Sequence, residues 1–387
     1  PGIIKPAIDS SSIVSFEMRD KFAFESAFFL QDEWRISERL LLKAGIRWSS
    51  FSRMGSDTIL VYENEAPLQY DQMLGQYVNG EVVDSLFYGD NELFNNYSGF
   101  EPRLSLRYQI NESKSIKASY QKINQYLQLI TNASSPSPVD IWAPSGRYIK
   151  PLIGEQYAFG YFSVSEDQKW EFSSEIYYKK LYNTVDYVDA ADLEFNNHLE
   201  TEILYGIGRA YGLEMMLEKK YGKFTGWVSY TFAKTENLIS GYGGDDPGIN
   251  GGDWYPNPQD KTHDLSLVAF YKLNQKWSFS SNFVFATGIP TNYPKSKYQF
   301  EGVSIPHYSG SRNQERLTNY HRLDFAATFK PKGNDLREWI FSIYNVYNRK
   351  NASSLYFRES IDNSNQTEAV QLSIFPIIPS VSFNFKF

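Results

Sequence analysis

Apolar and polar residues alternate with a strict period of two at the end of the chain. From Pro379 to Phe387, one set of alternating positions holds the apolar residues Val381, Phe383, Phe385 and Phe387. Successive side chains of a β-strand point to opposite faces, so this segment predicts a strand with one apolar and one polar face. The alternation recurs along almost the whole chain, which predicts a protein built mainly of such strands.

Three internal segments show the same pattern, at residues 103–108, 211–218 and 277–286. Arg103 and Arg107 fall on the polar face of the first segment, and Glu214 falls on the polar face of the second. We interpret the apolar face as facing lipid and the polar face as lining a lumen, which predicts a transmembrane antiparallel β-barrel. The alternation is also compatible with a soluble sandwich, a propeller or a soluble carbohydrate-binding all-β protein.

The pattern predicts about 13 strands. They are expected near residues 20–36, 39–52, 99–111, 114–127, 153–165, 168–185, 207–221, 222–235, 260–273, 276–287, 318–331, 336–348 and 368–387. Short polar turns are predicted at Ile36–Arg39, Ile110–Lys114, Ser165–Lys169, Lys220–Lys223 and Leu273–Lys276. Long loops are predicted at roughly 53–98, 128–152, 186–206, 236–259, 288–317 and 349–368. Outer-membrane barrels alternate short periplasmic turns with long extracellular loops in this way.

The odd number of strands bears on orientation. Single-chain bacterial barrels have an even number of strands and both termini in the periplasm. If Phe387 is periplasmic, residues 1–19 belong to an extracellular loop and residues 20–387 form the C-terminal part of a barrel. The start of the chain also lacks the basic and apolar regions of a signal peptide. We therefore expect the preceding strands and the signal peptide to lie outside this chain.

Composition narrows the class of protein. Aromatic residues make up 17% of the 387 residues, yet the mean hydropathy is −0.46. This combination is expected for strands that have one apolar face and one face in contact with water. No run approaches the about 18 apolar residues of a transmembrane helix. The absence of Cys excludes disulfides and thiolate metal sites. The net charge of −7 argues against nucleic acid as the main partner.

Several residue strings occur in a characteristic order. They are Phe28–Arg35, Leu41–Trp48, Gly208–Glu214, Phe224–Thr231, Asp260–Leu265, Phe285–Pro290, Tyr320–Asp324 and Tyr344–Asn351. This ordered set resembles the barrel of TonB-dependent outer-membrane receptors of the Bacteroidota type. The terminal aromatics Phe383, Phe385 and Phe387 resemble the sorting signal of outer-membrane barrels.

The resemblance implies a fold, a function and partners. It implies a barrel of 22 strands with a plugged lumen, of which this chain supplies the C-terminal part. It also implies TonB-dependent nutrient uptake, with this chain forming the barrel wall and ligand-capturing loops. The implied partners are outer-membrane lipid, the missing plug and remaining barrel strands, the TonB complex acting through the plug, and a surface lipoprotein lid. The competing hypothesis is a non-energised structural or secretion-associated barrel.

Candidate ligand-binding residues lie in the predicted loops. The aromatic residues Trp142, Tyr242, Trp254 and Tyr255 are expected to contact the captured ligand. For Trp254 and its neighbours, an aromatic belt at the membrane surface is the alternative to a ligand-stacking platform. In the lumen, Arg103, Arg107, Glu214, Arg322 and Asp324 are expected to face the plug. A solvated wall pair is the alternative for Arg322 and Asp324.

Signals for catalysis and metal binding are weak. Asp245, Asp246 and Asp253 could supply oxygen ligands to Ca²⁺, but they lack the spacing of a Ca²⁺ loop, and a plain solvated loop is the alternative. The four histidines do not have metal-ligand spacing, and no hydrolase, metalloprotease or phosphate-loop motif occurs. We therefore expect neither an enzyme nor a cofactor.

Overall fold

The computed structural model describes residues 3–4, 16–17, 20–130, 141–189, 191, 193, 196–243, 245–300, 303–308, 311–331, 337–360 and 366–386. Within these residues the regular secondary structure is almost entirely β-strand, as predicted. The helices are three short 3₁₀ segments, Glu63–Glu65, Leu199–Thr201 and Ile249–Gly252. None of the described helices is long and apolar enough to cross a membrane.

Thirteen long strands form one antiparallel sheet in which neighbours in the sheet are also neighbours in the chain. They are β1 (Phe22–Arg35), β2 (Leu40–Met54), β3 (Leu93–Asn111), β4 (Lys114–Gln125), β5 (Leu152–Val164), β6 (Trp170–Tyr187), β7 (Ile203–Lys219), β8 (Phe224–Leu238), β9 (His263–Lys272), β10 (Trp277–Ala286), β11 (Tyr320–Phe329), β12 (Arg337–Tyr344) and β13 (Ile378–Phe385). The two-residue strand Tyr255–Pro256 also pairs with β8.

The connections alternate in length, as the sequence predicts. The turn end of the sheet carries the short connections, such as residues 36–39 between β1 and β2 and residues 220–223 between β7 and β8. The loop end carries the long ones, such as residues 55–92 between β2 and β3 and residues 239–262 between β8 and β9. Because consecutive long strands pair antiparallel, each pair forms a hairpin that is closed by either a short turn or a long loop.

Most predicted strand ends lie within four residues of the observed ones, and two departures are larger. Strand β3 begins at Leu93, inside a predicted loop. The predicted strand 368–387 combines two elements, because Thr367–Leu372 pairs with Ser354–Glu359 in a separate loop hairpin and β13 begins only at Ile378. Residues 373–377 connect these two elements.

The long loops contain further two-stranded pairs. Their paired strands are Asp57–Tyr62 with Val82–Tyr88, Leu68–Asp71 with Gln76–Asn79, Leu127–Ile130 with Ile141–Pro144, Pro290–Thr291 with Glu315–Arg316, and Ser296–Phe300 with Val303–His307. Before β1, Ile3–Ile4 pairs with Phe16–Glu17. These paired strands give the loop end regular backbone pairing that is independent of the main sheet.

The strand register separates an apolar face from a polar face. Phe283 of β10 lies opposite Leu267 and Leu323, whereas its neighbour Asn282 lies opposite Val268 and Asp324. Directly opposed residues point to the same side of a sheet. The apolar side chains of successive strands therefore form continuous rows on one face, and most of the polar side chains lie on the other.

Two adjacent rows mark the border of the apolar face. A tyrosine row runs across four strands, through Tyr120, Tyr157, Tyr178 and Tyr211. Two residues nearer the loop end, a charged row runs across five strands, through Lys122, Glu155, Lys180, Arg209 and Glu236. On this face the side chains thus change from apolar to phenolic to charged in the direction of the loop end.

The main sheet has two edges. Within the described residues, β1 pairs only with β2 and β13 pairs only with β12, so the sheet is open. The outer sides of both edge strands carry backbone N–H and C=O groups that are available for further pairing.

The buried apolar core lies at the loop end. One cluster joins the β4–β5 and β6–β7 loops through Ile130, Ala143, Ile149, Leu193, Leu199 and Ile203. A second joins the β2–β3, β6–β7 and β8–β9 loops through Leu68, Val188, Leu204, Ile239, Ile249 and Tyr255. Fully burying one aliphatic side chain is worth about 1.5–3 kcal/mol, so these clusters are sufficient to hold the loops together as one loop assembly.

Candidate ligand-binding face and loop assembly

Charged side chains on the polar face surround a cavity of about 320 Å³. Arg103 of β3 lines it together with Lys43, Lys117 and Glu175. Alternation places these residues on one face because their strands pair in register. The cavity lining is thus polar and carries more positive than negative charge.

The other predicted polar-face residues lie on the same side of the sheet. Arg107 is opposite Lys117, and its guanidinium donates a 3.0 Å hydrogen bond to Gln109. Glu214 of β7 is opposite Glu175 of β6, so two carboxylates are adjacent on this face. Opposed like charges repel, which favours an arrangement in which water or a positively charged partner lies over them.

A buried carboxylate anchors the polar face near the loop end. Glu101 accepts two hydrogen bonds of 3.0 Å from Arg47 and one of 2.7 Å from Ser49. The Ser49 hydroxyl lies 2.8 Å from that of Tyr126, which belongs to the β4–β5 loop. A buried charge needs such partners to offset its desolvation. This network therefore ties the loop to the sheet.

Arg322 and Asp324 form the ion pair that their spacing suggests. Arg322 Nε lies 3.0 Å from Asp324 Oδ2, and its Nη1 donates to the hydroxyls of Tyr320 and Tyr344. Asp324 also accepts a 2.9 Å hydrogen bond from the backbone N–H of Asn345. The pair connects β11 to the start of the β12–β13 loop and is only partly exposed.

An arginine clamp holds the loop assembly together. Arg312 of the β10–β11 loop lies 3.1 Å from Asp186 and 2.9 Å from Asp189, and it stacks at 4.2 Å over the ring of Tyr187. Burial opposes its charge, but the attraction of Asp186, Tyr187 and Asp189 outweighs burial and raises the pKa of Arg312. The clamp joins two loops that are distant in sequence.

Tyr255 lies inside the loop assembly, contrary to its predicted role in contacting ligand. Its side chain is 0% exposed, and its hydroxyl donates a 2.8 Å hydrogen bond to Asp186. Burial, followed by the charge of Asp186, raises its pKa well above the usual value. In this arrangement Tyr255 packs the core and has no surface left for a ligand.

The other predicted aromatic residues differ in their surroundings. Trp142 and Tyr242 are 59% and 56% exposed on the loop assembly and are accessible to a ligand. Trp254 instead stacks over the guanidinium of Arg209, 4.0 Å from its ring centroid. Because Arg209 belongs to the charged row, Trp254 covers the border of the apolar face. The structure does not bring these three aromatic residues together with Tyr255 in one pocket.

The acidic loop is organised by hydrogen bonds within the protein. Asp246 accepts hydrogen bonds from the Tyr77 hydroxyl and from the backbone N–H groups of Tyr242 and Gly248, while Asp245 accepts one from Gln72. Gly248 has φ +63°, and an added Cβ would lie 2.2 Å from a backbone oxygen, so the turn requires glycine.

The suggested Ca²⁺ site at Asp245, Asp246 and Asp253 is therefore not formed. No group of three His, Cys, Asp or Glu residues within the described part of the chain is arranged to hold a metal ion. The carboxylate of Asp246 is occupied by donors from the protein.

The aromatic residues of β13 pack against the preceding strand. Phe383 is opposite Trp339 of β12, with ring centroids 4.6 Å apart, and it stacks on Phe385 at 5.8 Å. Phe387 lies outside the described residues. The two described members of the suggested sorting signal thus stand on one face of the edge strand.

Several residues of the loop assembly carry no sequence signal. Arg312 and Asp186 are 126 residues apart, and Tyr77 and Asp246 are 169 apart. In the sequence, each of these four residues falls in a segment predicted to be a long polar loop. Only the pairing of strands brings their loops together.

Comparison with solved structures identifies the fold. The siderophore receptor PiuA from Acinetobacter baumannii aligns with a TM-score of 0.60 and 16% identity over 94% of this chain and 43% of that chain. The ferric-catecholate import receptor Fiu from E. coli K12 aligns with a TM-score of 0.58 and 14% identity over 94% of this chain and 45% of that chain. The ferric yersiniabactin uptake receptor FyuA from Yersinia pestis aligns with a TM-score of 0.56 and 12% identity over 94% of this chain and 46% of that chain. The chain thus spans less than half the length of these receptors.

A comparison with curated protein sequences found no significant match. The family model described as TonB dependent receptor-like, beta-barrel matches residues 6–348, which is most of the chain. The alternating strands, the two faces of the sheet and the fold of the solved receptors agree with that match. The chain belongs to the TonB-dependent receptor β-barrel family.

Proposed function

We propose that this chain forms part of the wall of an outer-membrane receptor that takes up a nutrient in a TonB-dependent manner. The observation that carries the proposal is the order of side chains on the apolar face, where apolar rows give way to the tyrosine row and then to the charged row. Membrane barrels place an aromatic girdle at the edge of the hydrocarbon region and charges beyond it. The apolar face would then contact lipid, and the loop end would lie outside the cell.

The polar face would line the lumen. Arg103, Arg107, Glu214, Arg322 and Asp324 would face the lumen and contact a plug domain there. The adjacent carboxylates Glu175 and Glu214 support this role, because a positively charged partner surface would relieve their repulsion. The open edges β1 and β13 would pair with further strands to close a barrel of 22 strands, of which this chain supplies the C-terminal part.

The loop assembly would capture the ligand. Trp142 and Tyr242 are exposed on the loop assembly, and Trp254 stacks over Arg209 of the charged row. The similar receptors PiuA, Fiu and FyuA are a siderophore receptor, a ferric-catecholate import receptor and a ferric yersiniabactin uptake receptor. A metal chelate is accordingly the ligand class that we propose first. A surface lipoprotein would serve as a lid, as in the Bacteroidota members of the family.

Uptake would be energised through the plug and the TonB complex. The test is uptake of a panel of radiolabelled ferric chelates by cells with and without the receptor, before and after the proton gradient is collapsed. We expect uptake that requires both the receptor and the gradient. Receptor-dependent uptake that persists without the gradient would identify a passive pore and contradict the proposal.

The sorting role of β13 can be tested in the same cells. Phe383, Phe385 and Phe387 would present the signal that the outer-membrane assembly machinery recognises. Replacing all three with Ser should lower the amount of receptor in the outer membrane several-fold. The matched control replaces Phe22, Phe24 and Phe28 of the other edge strand with Ser. Equal losses in the two variants would indicate a general folding defect and contradict a sorting role.

A further inference from the structure

A small cavity of about 70 Å³ opens at the loop end of β1 and β2. It lies between Lys21, just before β1, Arg53 near the end of β2, and the β4–β5 loop at Gly146 and Arg147. Glu200 of the β6–β7 loop closes another side. The cavity thus lies where the polar face meets the loop assembly.

Arg53 lies in this cavity with one donor unused. Its side chain is buried, at 4% exposure, and its guanidinium stacks over Phe94 at 5.5 Å. One terminal nitrogen forms an ion pair with Asp57, while Nε has no acceptor within the described residues. A buried guanidinium N–H without an acceptor is unusual because the lost solvation is not replaced.

A second unused donor lies close to the first. Asn95 Nδ2 is also buried, and it has no acceptor among the residues that the structure describes. A methyl group added at Gly146, which lines the cavity, would lie 3.4 Å from Arg53 Nη1 and 3.8 Å from Asn95 Nδ2, so the Arg53 guanidinium and the Asn95 amide approach the same point. Two side chains that each carry an unused donor and approach one point of the cavity lining indicate that an acceptor is missing from the protein itself.

The charges around the cavity favour an anion as that acceptor. Lys21 is exposed as a whole residue, but partial desolvation by the surrounding chain, and then repulsion by Arg53, lower the pKa of its ammonium group. Two cations that destabilise each other would both be stabilised by an anion between them.

The remaining charged groups at the cavity already have partners. Asp57 is paired with Arg53, and Arg147 with Glu65. Glu200 accepts a hydrogen bond from the Tyr62 hydroxyl at 3.4 Å, and the Nδ1 atom of His198 lies 3.3 Å from it. Lys21 makes no ion pair within the described part of the chain. Its charge and the two unused donors are therefore the groups left to bind a ligand.

We infer that this cavity binds an oxyanion, as a carboxylate or phosphate group carried by the transported ligand. The inference rests on the proposed receptor function and names the chemistry of one part of its ligand. Since one water occupies about 10–15 Å³ of such a cavity, the space suits a single small anionic group. The rest of the ligand would extend from the cavity mouth.

Equilibrium binding of inorganic phosphate and of acetate to the receptor, purified from the outer membrane in detergent, tests the inference. We expect both probes to bind more tightly than chloride. Lys21→Gln should weaken binding about tenfold, because one charge-assisted hydrogen bond is lost. Arg53→Lys keeps the charge but removes Nε, and it should also weaken binding about tenfold.

The matched control is Lys169→Gln, which removes the same charge from an exposed turn at the opposite end of the sheet. It should leave binding within about twofold of the original. Circular dichroism and thermal unfolding would show whether each variant is folded. If Arg53→Lys does not fold, Lys21→Gln alone decides the outcome.

Three results would overturn the inference. They are phosphate and acetate binding no tighter than chloride, full binding by a folded Lys21→Gln variant, and equal losses in Lys21→Gln and Lys169→Gln. Gradient-dependent uptake with no probe binding would overturn the anion site but leave the receptor function standing. If the imported chelate displaces the bound probe, the anionic group belongs to the transported ligand. If the chelate does not displace it, the cavity binds a free anion, and the assignment to the transported ligand is wrong.

Discussion

The hydroxyl of Tyr255 donates a 2.8 Å hydrogen bond to Asp186, a residue 69 positions earlier in the chain. The bond is buried and joins the β8–β9 loop to the end of β6. Asp186 also lies 3.1 Å from Arg312, so one carboxylate connects three separate segments. The loop assembly therefore depends on a few buried polar contacts as well as on its apolar clusters.

Replacing Tyr255 with Phe should loosen the loop assembly while leaving the main sheet intact. The change leaves one carboxylate oxygen of Asp186 without its buried donor, which costs about 1–3 kcal/mol. Hydrogen exchange in the loop residues 188–202 should become faster, with unchanged exchange in β10 and β11. Tyr242→Phe is the control because that side chain is exposed. Equal exchange in the two variants would contradict the role assigned to Tyr255.

Removing the arginine clamp should have a larger effect. Arg312→Ala leaves Asp186 as an uncompensated buried charge, and breaking such a pair costs about 3–5 kcal/mol. Lys295→Ala breaks the exposed pair with Glu315 and should cost less than about 1 kcal/mol. Limited proteolysis of the folded receptor measures how fast the loops are cleaved in each variant. We expect rapid loop cleavage only for Arg312→Ala. Similar cleavage rates would show that the clamp does not hold the loops.

The assignment of the two faces can be tested at two adjacent positions. Phe283→Lys places a charge on the apolar face and should destabilise the receptor by about 2–4 kcal/mol if the residue lies near the membrane midplane. Asn282→Lys places the same charge on the polar face and should have little effect. The measurement is the free energy of unfolding in lipid vesicles. Equal, small effects would contradict the lipid-facing assignment.

Anion binding in the small cavity should depend on pH. The pKa of Lys21 is lowered from 10.5 by burial and by Arg53, while Glu200 and Asp57 act in the opposite direction. A lowered pKa means that folded Lys21 loses its proton at a lower pH than an ordinary lysine. Acetate stays ionised throughout this range, so its affinity should fall as the pH rises toward 10.5 from below.

The Lys21→Arg variant keeps its charge throughout this range and provides the control, so its affinity should stay constant. A titration by calorimetry at several pH values measures the difference. The same shift makes folding slightly more favourable as the pH rises through the window between the lowered pKa and 10.5, because the unfolded chain binds more protons there. Identical pH profiles for the two proteins would show that Lys21 does not contact the anion.

The strands of the main sheet could be predicted from the sequence because their cause is local. Alternation at a period of two, as at Phe283 and Asn282, records which side of the sheet each residue faces. The one mistaken strand, at 368–387, shows the limit of this reasoning, since Thr367–Leu372 alternates well but pairs with Ser354–Glu359 in a loop hairpin. Alternation does not say which strand is the partner.

The candidate site could be predicted only in part. Arg103, Glu214 and the Arg322–Asp324 pair lie on strands, so their side of the sheet follows from the pattern. Tyr255 was expected on a loop surface, yet it is buried, because the loops around it fold onto one another. The unused donors of Arg53 and Asn95 are visible only in three dimensions, where the absence of an acceptor can be established.

The consecutive order of the strands has a consequence for how the protein assembles. Successive long strands are neighbours in both the chain and the main sheet, so the sheet can grow one hairpin at a time, with a short closure at each turn and a longer one at each loop. The loop assembly contains contacts over much longer separations, 126 residues for Arg312 with Asp186 and 169 residues for Tyr77 with Asp246. These contacts form only after many hairpins are in place. The ligand-capturing end of the receptor would thus be the last part to become ordered during biogenesis.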